Sequence, residues 1–106
     1  MIDKKILGLI GLASRARKIC FGADSVEIEI KKRKVNQIII AEDASDRTKE
    51  KFKKLSKEYN IPILIIGEID ILSKAIGKSN KAIIGIEEPN ISSEIQKISN
   101  GGEDIG

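Results

Sequence analysis

Gln37-Ile38-Ile39-Ile40-Ala41-Glu42-Asp43-Ala44-Ser45 is the stretch on which the fold turns. Three consecutive β-branched apolar residues with no polar alternation predict a strand buried on both faces, the middle of a helix-covered sheet. Within two residues the character changes from Ile40-Ala41 to the carboxylates Glu42 and Asp43. Asp43, Ser45 and Asp46 can each accept a hydrogen bond from free backbone N–H groups, which suits the entrance to a following helix. Ligand sites of open α/β sheets gather at the carboxyl ends of strands, and this is such an end.

On either side, helical and strand patterns alternate. Ile6, Leu9, Ile10 and Ala13 form a helical stripe, in which Gly8 and Gly11 suit close approach of a neighbour. Ile19-Cys20-Phe21 is a short strand stopped by Gly22, and residues 23–33 read as a second helix. Residues 46–58 read as a third helix, ended ahead of Pro62. Ile63-Leu64-Ile65-Ile66 reads as a second buried strand, and Ile69 to Ile76 as a short helix closed by Gly77. Residues 82–86 form the last strand, and Ile91, Ile95 and Ile98 a final helical face. The alternation predicts a three-layer α/β/α sandwich on a small, largely parallel or mixed sheet. One domain over residues 1–99 is expected, with a flexible tail at 100–106.

The 106 residues include no histidine, so His-based acid–base chemistry and His metal sites are excluded. Cys20 is the single cysteine and reads as a small core hydrophobe. Phe21, Phe52 and Tyr59 are the whole aromatic complement, too few for a single-strand stacking platform. No run approaches the ~20 apolar residues of a membrane span, and no signal peptide is read, so a soluble cytoplasmic protein is expected. Residues 1–57 carry fifteen Lys/Arg against eight Asp/Glu, whereas residues 58–106 carry four against eight. Such polarity suggests a basic surface for a polyanion, although solubilising lysines would give the same count.

Glu42 and Asp43 are adjacent on an extended chain and point to opposite sides, so capping and loop-ordering roles are expected ahead of a shared metal. Gly22-Ala23-Asp24 opens a helix after a strand in the manner of an anion site, without the repeated glycines of a nucleotide fingerprint. No cofactor is expected. That helix start beside Arg15, Arg17, Lys18 and Lys32 reads as an RNA-docking edge. Lys31-Lys32-Arg33-Lys34 also suits the negative end of the helix dipole.

Gly22-Ala23-Asp24-Ser25, Ile38 to Ser45, Asn60-Ile61-Pro62 and Leu72-Ser73-Lys74-Ala75-Ile76-Gly77 occur in order. Together they resemble the superfamily of kink-turn-binding ribosomal proteins of archaeal and eukaryotic large subunits. Leu12-Ala13-Ser14-Arg15-Ala16-Arg17-Lys18 is closer still to the stand-alone bacterial YlxQ-type members. The resemblance implies an α/β/α sandwich with a four-stranded mixed sheet, no catalytic activity, and binding to RNA kink-turns in a ribosomal or ribonucleoprotein setting. Its G·A-reading stretch, Gly-x-Asn-Glu-x-x-Lys, maps onto Gly22, Ala23, Asp24, Ser25 and Ile28, with Lys31 and Lys32 one turn on. Its base-packing loop maps onto Asn80, Lys81, Ala82 and Ile83. Asp24, Ser25 and Ile28 replace the family's Asn, Glu and Lys, which shifts the expected affinity toward phosphate contacts. Structured RNA is the implied partner, with ribosomal proteins as further ones. The alternative is a protein–protein module of the same fold acting on the translation apparatus, and a small enzyme using Glu42 or Asp43 ranks last.

Overall fold

The structure, a computed structural model, describes residues 2–100. Five helices and four strands alternate: α1 (Lys4–Arg15), β1 (Ile19–Phe21), α2 (Ala23–Lys31), β2 (Gln37–Ile40), α3 (Asp46–Tyr59), β3 (Ile63–Ile65), α4 (Ile69–Ala75), β4 (Ile83–Ile86) and α5 (Pro89–Ser99). The sheet runs β1-β4-β2-β3, with β4 antiparallel to both neighbours and β2 parallel to β3.

β2 is buried at every position, because successive side chains of a strand face opposite layers. Ile38 and Ile40 pack under α2 and α3 with Val26, Ile30, Phe52 and Leu55. Ile39 packs under α1, α4 and α5 with Ile6, Ile10, Leu72 and Ile95. The three-layer sandwich expected from the pattern and the mixed four-stranded sheet implied by the resemblance are therefore what forms. β3 differs from expectation: it is half-buried, because it lies at the sheet edge and lacks a neighbour on one side. The second helix also stops earlier than its pattern suggests, since Arg33 takes a left-handed φ of 59°. Of the expected tail, Asn100 caps α5 and residues 101–106 lie outside the described residues.

Ser45 caps α3 by accepting the Thr48 N–H at 3.1 Å. Ser45→Ala should cost about 1 kcal/mol of stability, read by urea denaturation. Asp43 instead reaches across to α4, its Oδ1 accepting the Ile69 N–H at 2.9 Å. The capping role expected for Asp43 holds, on a helix 26 residues away rather than on the adjoining one.

Cys20 is buried with its Sγ 3.8 Å from the Gly85 carbonyl oxygen, and burial drives its thiol far above the ordinary range. It is a packing residue with no accessible thiolate. Just past β4, the Glu87 Oε2 is buried without a hydrogen-bond partner among the described residues. Burial raises the Glu87 carboxyl above the ordinary carboxylate range, and the nearby Glu29 carboxylate adds to the effect. The folded state thus holds this proton to a higher pH than the unfolded chain does. Stability falls as pH rises from the ordinary carboxylate value through the raised one, and the cost is complete above it. Glu87→Gln should raise the melting temperature at pH 7, with the gain vanishing near pH 4, as differential scanning calorimetry would show.

Candidate nucleic-acid interface

Pairing brings three strand ends and one strand start to a single edge. Phe21 pairs with Ile84, Ile40 with Ile83, and Ile40 with Ile65. At this edge the chain leaves β1 through Gly22, whose φ of 89° and ψ of 146° suit glycine almost alone. α2 starts immediately, and no side chain caps it. The first amides of an α-helix have no intrahelical acceptor, so Ala23, Asp24 and Ser25, all exposed, present N–H donors outward.

The turn ahead of β4 comes to the same place. The Gly22 N–H donates to the Ile83 carbonyl oxygen at 3.0 Å, locking the two segments edge to edge. Gly77 and Asn80 take left-handed φ values, and Ser73 is the post on which this loop hangs. Its Oγ accepts the Lys81 N–H at 2.7 Å and donates to the Lys81 carbonyl oxygen at 3.2 Å. Its own carbonyl accepts the Lys78 N–H at 2.8 Å. The loop therefore delivers two ammonium groups to one aromatic ring: Lys78 Nζ and Lys81 Nζ each lie 5.4 Å from the Phe21 centroid. Cations over a ring face are held by its quadrupole, which fixes two long side chains that would otherwise sweep solvent. A shallow cleft of about 310 Å³, lined by Asp70, Ser73, Lys74, Lys78, Ser79 and Asn80, continues the surface beyond the loop.

The β2–α3 loop forms the third wall. The Ala41 N–H donates to the Ala82 carbonyl oxygen at 2.9 Å, and the Glu42 carbonyl accepts Lys49 Nζ at 2.6 Å. The Glu42 backbone and the Asp43 carboxylate thus order this loop and the start of α4.

Not every expected site residue joins this ledge. Gly22 to Ser25 and Asn80 to Ala82 do, and Ile28 lies one turn along α2, 52% exposed. Ile83 is only 2% exposed and packs in the core, so its carbonyl, not its side chain, builds the edge. Lys31 and Lys32 sit at the far end of α2, roughly 12 Å from Ala23 at 1.5 Å per residue. Lys31 pairs with Glu27 at 3.1 Å and Lys32 with Glu29 at 3.7 Å. The Glu27 carboxylate raises the Lys31 pKa, and Lys51 and then Lys31 lower that of Glu27.

Arg15, Arg17 and Lys18 precede β1 and so occupy the opposite end of the sheet, where the Lys18 carbonyl accepts the Glu87 N–H. Their expected place beside the start of α2 is not what forms, because the whole of β1 separates them. Phe21 and Lys78 carry no signal as site residues in the sequence, because the contact between them depends on the fold, and Ser73 enters only as part of a matching motif.

Residues 4–96 match the ribosomal protein L7Ae/L30e/S12e/Gadd45 family. The chain is 31% identical over 98 residues to the RNA-binding protein YlxQ of Enterococcus faecium, covering 92% of this chain and 94% of that protein. It is 29% identical over 87 residues to the RNA-binding protein YlxQ of Bacillus subtilis (strain 168), covering 82% and 87%. Its fold superimposes on a Bacillus halodurans C protein of unknown function with a TM-score of 0.87, 31% identity and coverage of 91% and 97%. A Giardia lamblia 15.5kD RNA binding protein shares the fold at a TM-score of 0.77 and 21% identity, covering 90% and 88%. With the family match spanning nearly all of the described residues, the chain belongs to the ribosomal protein L7Ae/L30e/S12e/Gadd45 family.

Proposed function

We propose that this protein is a non-catalytic binder of structured RNA, of the kink-turn class, acting in a ribosomal or ribonucleoprotein setting in the cytoplasm. The observation that carries the proposal is the Gly22 N–H to Ile83 carbonyl bond, with Lys78 and Lys81 gathered on Phe21 beside it. It unites on one ledge the two segments that the family resemblance assigns to RNA. Membership of the family and the RNA-binding names of its relatives support the same reading.

On this ledge the amides of Ala23, Asp24 and Ser25 supply donors for phosphate or base edges. Lys78 and Lys81 supply the charge that a bent, phosphate-dense RNA requires, while Asn80, Ala82 and the exposed Ile28 offer short polar and apolar contacts to an extruded base. Asp24 stands in the first turn, where the positive helix end offsets part of its charge. Base reading is therefore weaker than in a site with Asn there, and backbone contacts carry more of the affinity.

Titrating a kink-turn RNA against a duplex of equal length, each at two salt concentrations, tests the proposal. The kink-turn should bind more tightly at both, and both constants should fall linearly in log salt. Equal, weak binding of the two RNAs would reject shape recognition.

A further inference from the structure

On the layer formed by α1, α4 and α5, one stretch of surface has the wrong composition for a solvated helix face. α1 contains no acidic residue, and Leu12 on it and Ile71 on α4 are exposed. Between the two helices lies a groove of about 450 Å³ whose floor is Leu7, Gly8, Gly11, Ile71 and Ala75. It runs on past Leu7 and Ile71 into a second hollow of about 460 Å³ reaching Ile2, Gly67 and Glu68, which is the one acidic residue at that far end.

Gly8 keeps the hollow open. A Cβ at Gly8 would meet nothing within 4 Å, whereas one at Gly11 would come within 3.5 Å of the Ala75 carbonyl oxygen. Gly8 thus leaves open space above the contact of α1 with α4, and a Cβ at Gly11 would make only ordinary van der Waals contact there. Every charged residue lining the first hollow is a cation, namely Lys4, Arg15 and Lys74, and none forms an ion pair among the described residues.

We infer that this groove is a docking site for an acidic amphipathic helix of a partner protein. An apolar trough between two helices accepts apolar side chains recurring at helical spacing. The cationic rim selects glutamate and aspartate on the flanks of that helix and repels basic ones. The floor offers no aromatic ring for a base to stack on and no donor set for base edges, so RNA fits it poorly. The groove lies apart from the RNA-binding ledge formed by the start of α2 and the turn ahead of β4, and shares only Lys74 with the cleft beyond that turn.

The probe is a fluorescein-labelled peptide of about fourteen residues, roughly four turns, with leucine at every third or fourth position and glutamate between. A matched peptide carries lysine in place of glutamate. Titrated into the isotope-labelled full chain, the acidic peptide should shift amide resonances of α1 and α4 and leave residues 22–25 and 78–82 unmoved. Gly8→Trp puts a large side chain where a Cβ meets nothing within 4 Å, and Lys4→Glu reverses one rim charge. Each should weaken the acidic peptide about tenfold or more while leaving kink-turn RNA affinity unchanged.

Equal binding of the lysine peptide, or absence of shifts in α1 and α4, overturns the inference. Concentration-dependent shifts of α1 and α4 in the peptide-free protein overturn it in favour of a second copy of this chain. If removing residues 101–106, which include Glu103, Asp104 and Ile105, raises peptide affinity tenfold, the occupant is the chain's own end and the partner reading falls. Should Gly8→Trp fail to fold, Lys4→Glu decides alone.

Discussion

Gly85→Ala should destabilise the fold by about 1–3 kcal/mol, the usual penalty for adding carbon to a filled core. Gly85 sits within β4, paired with Cys20 on one side and Ile38 on the other, where all four strand residues are buried. A Cβ there would lie 2.7 Å from Cys20 Sγ, and 3.2 Å and 3.3 Å from the two γ-methyls of Val35. The sulfur cannot retreat easily, because Cys20 is itself locked in β1 with its Sγ against the Gly85 carbonyl. For a domain of this size, the melting temperature should fall by roughly 5–20 °C. Cys20→Ala opens the tightest of the three contacts, so the double variant should lose less than the two singles combined, by about 0.5 kcal/mol or more. Val35 stays in place, which leaves the rescue incomplete. Simple additivity in denaturant titrations would mean that the glycine is required for backbone reasons rather than for space.

Ile38-Ile39-Ile40 announces burial on both faces because periodicity is a property of consecutive residues, and β2 is indeed central. Ile63-Leu64-Ile65 is just as apolar, yet β3 is an edge. Strand order depends on pairings between distant segments, and composition does not encode them. The cationic run Lys31 to Lys34 was legible as charge, and the carboxylates before it were equally visible. Their geometry was not, since it takes a folded α2 to set Glu27 and Glu29 against Lys31 and Lys32. Phe21 shows the limit most sharply. Counting three aromatics argues against a stacking surface, but one ring is enough to gather two lysines when β1 and the turn before β4 meet.

That gathering has a measurable consequence, and it relocates the charge that matters. Lys78→Ala with Lys81→Ala should weaken kink-turn RNA binding by about 10²-fold at low salt and flatten the log-log salt slope by about 2, one per lost phosphate contact. Lys31→Ala with Lys32→Ala removes the same formal charge, but the lost cations are paired with Glu27 and Glu29 and stand roughly 12 Å from the start of α2. Their removal should cost less than about threefold, the residue of long-range attraction screened over about one Debye length. Phe21→Leu separates positioning from charge: it keeps the half-buried apolar volume, removes the ring face, and should lower affinity less than the double lysine variant without changing the salt slope. Fluorescence anisotropy at two salt concentrations distinguishes these cases. A larger loss from Lys31 and Lys32 than from Lys78 and Lys81 would move the interface to the opposite end of α2, where Arg33 stacks on Tyr59 at 5.3 Å and Lys34 follows it. A loss shared equally by both pairs would mean that the RNA senses overall charge and not a built ledge, because only a positioned pair gives unequal effects at equal charge.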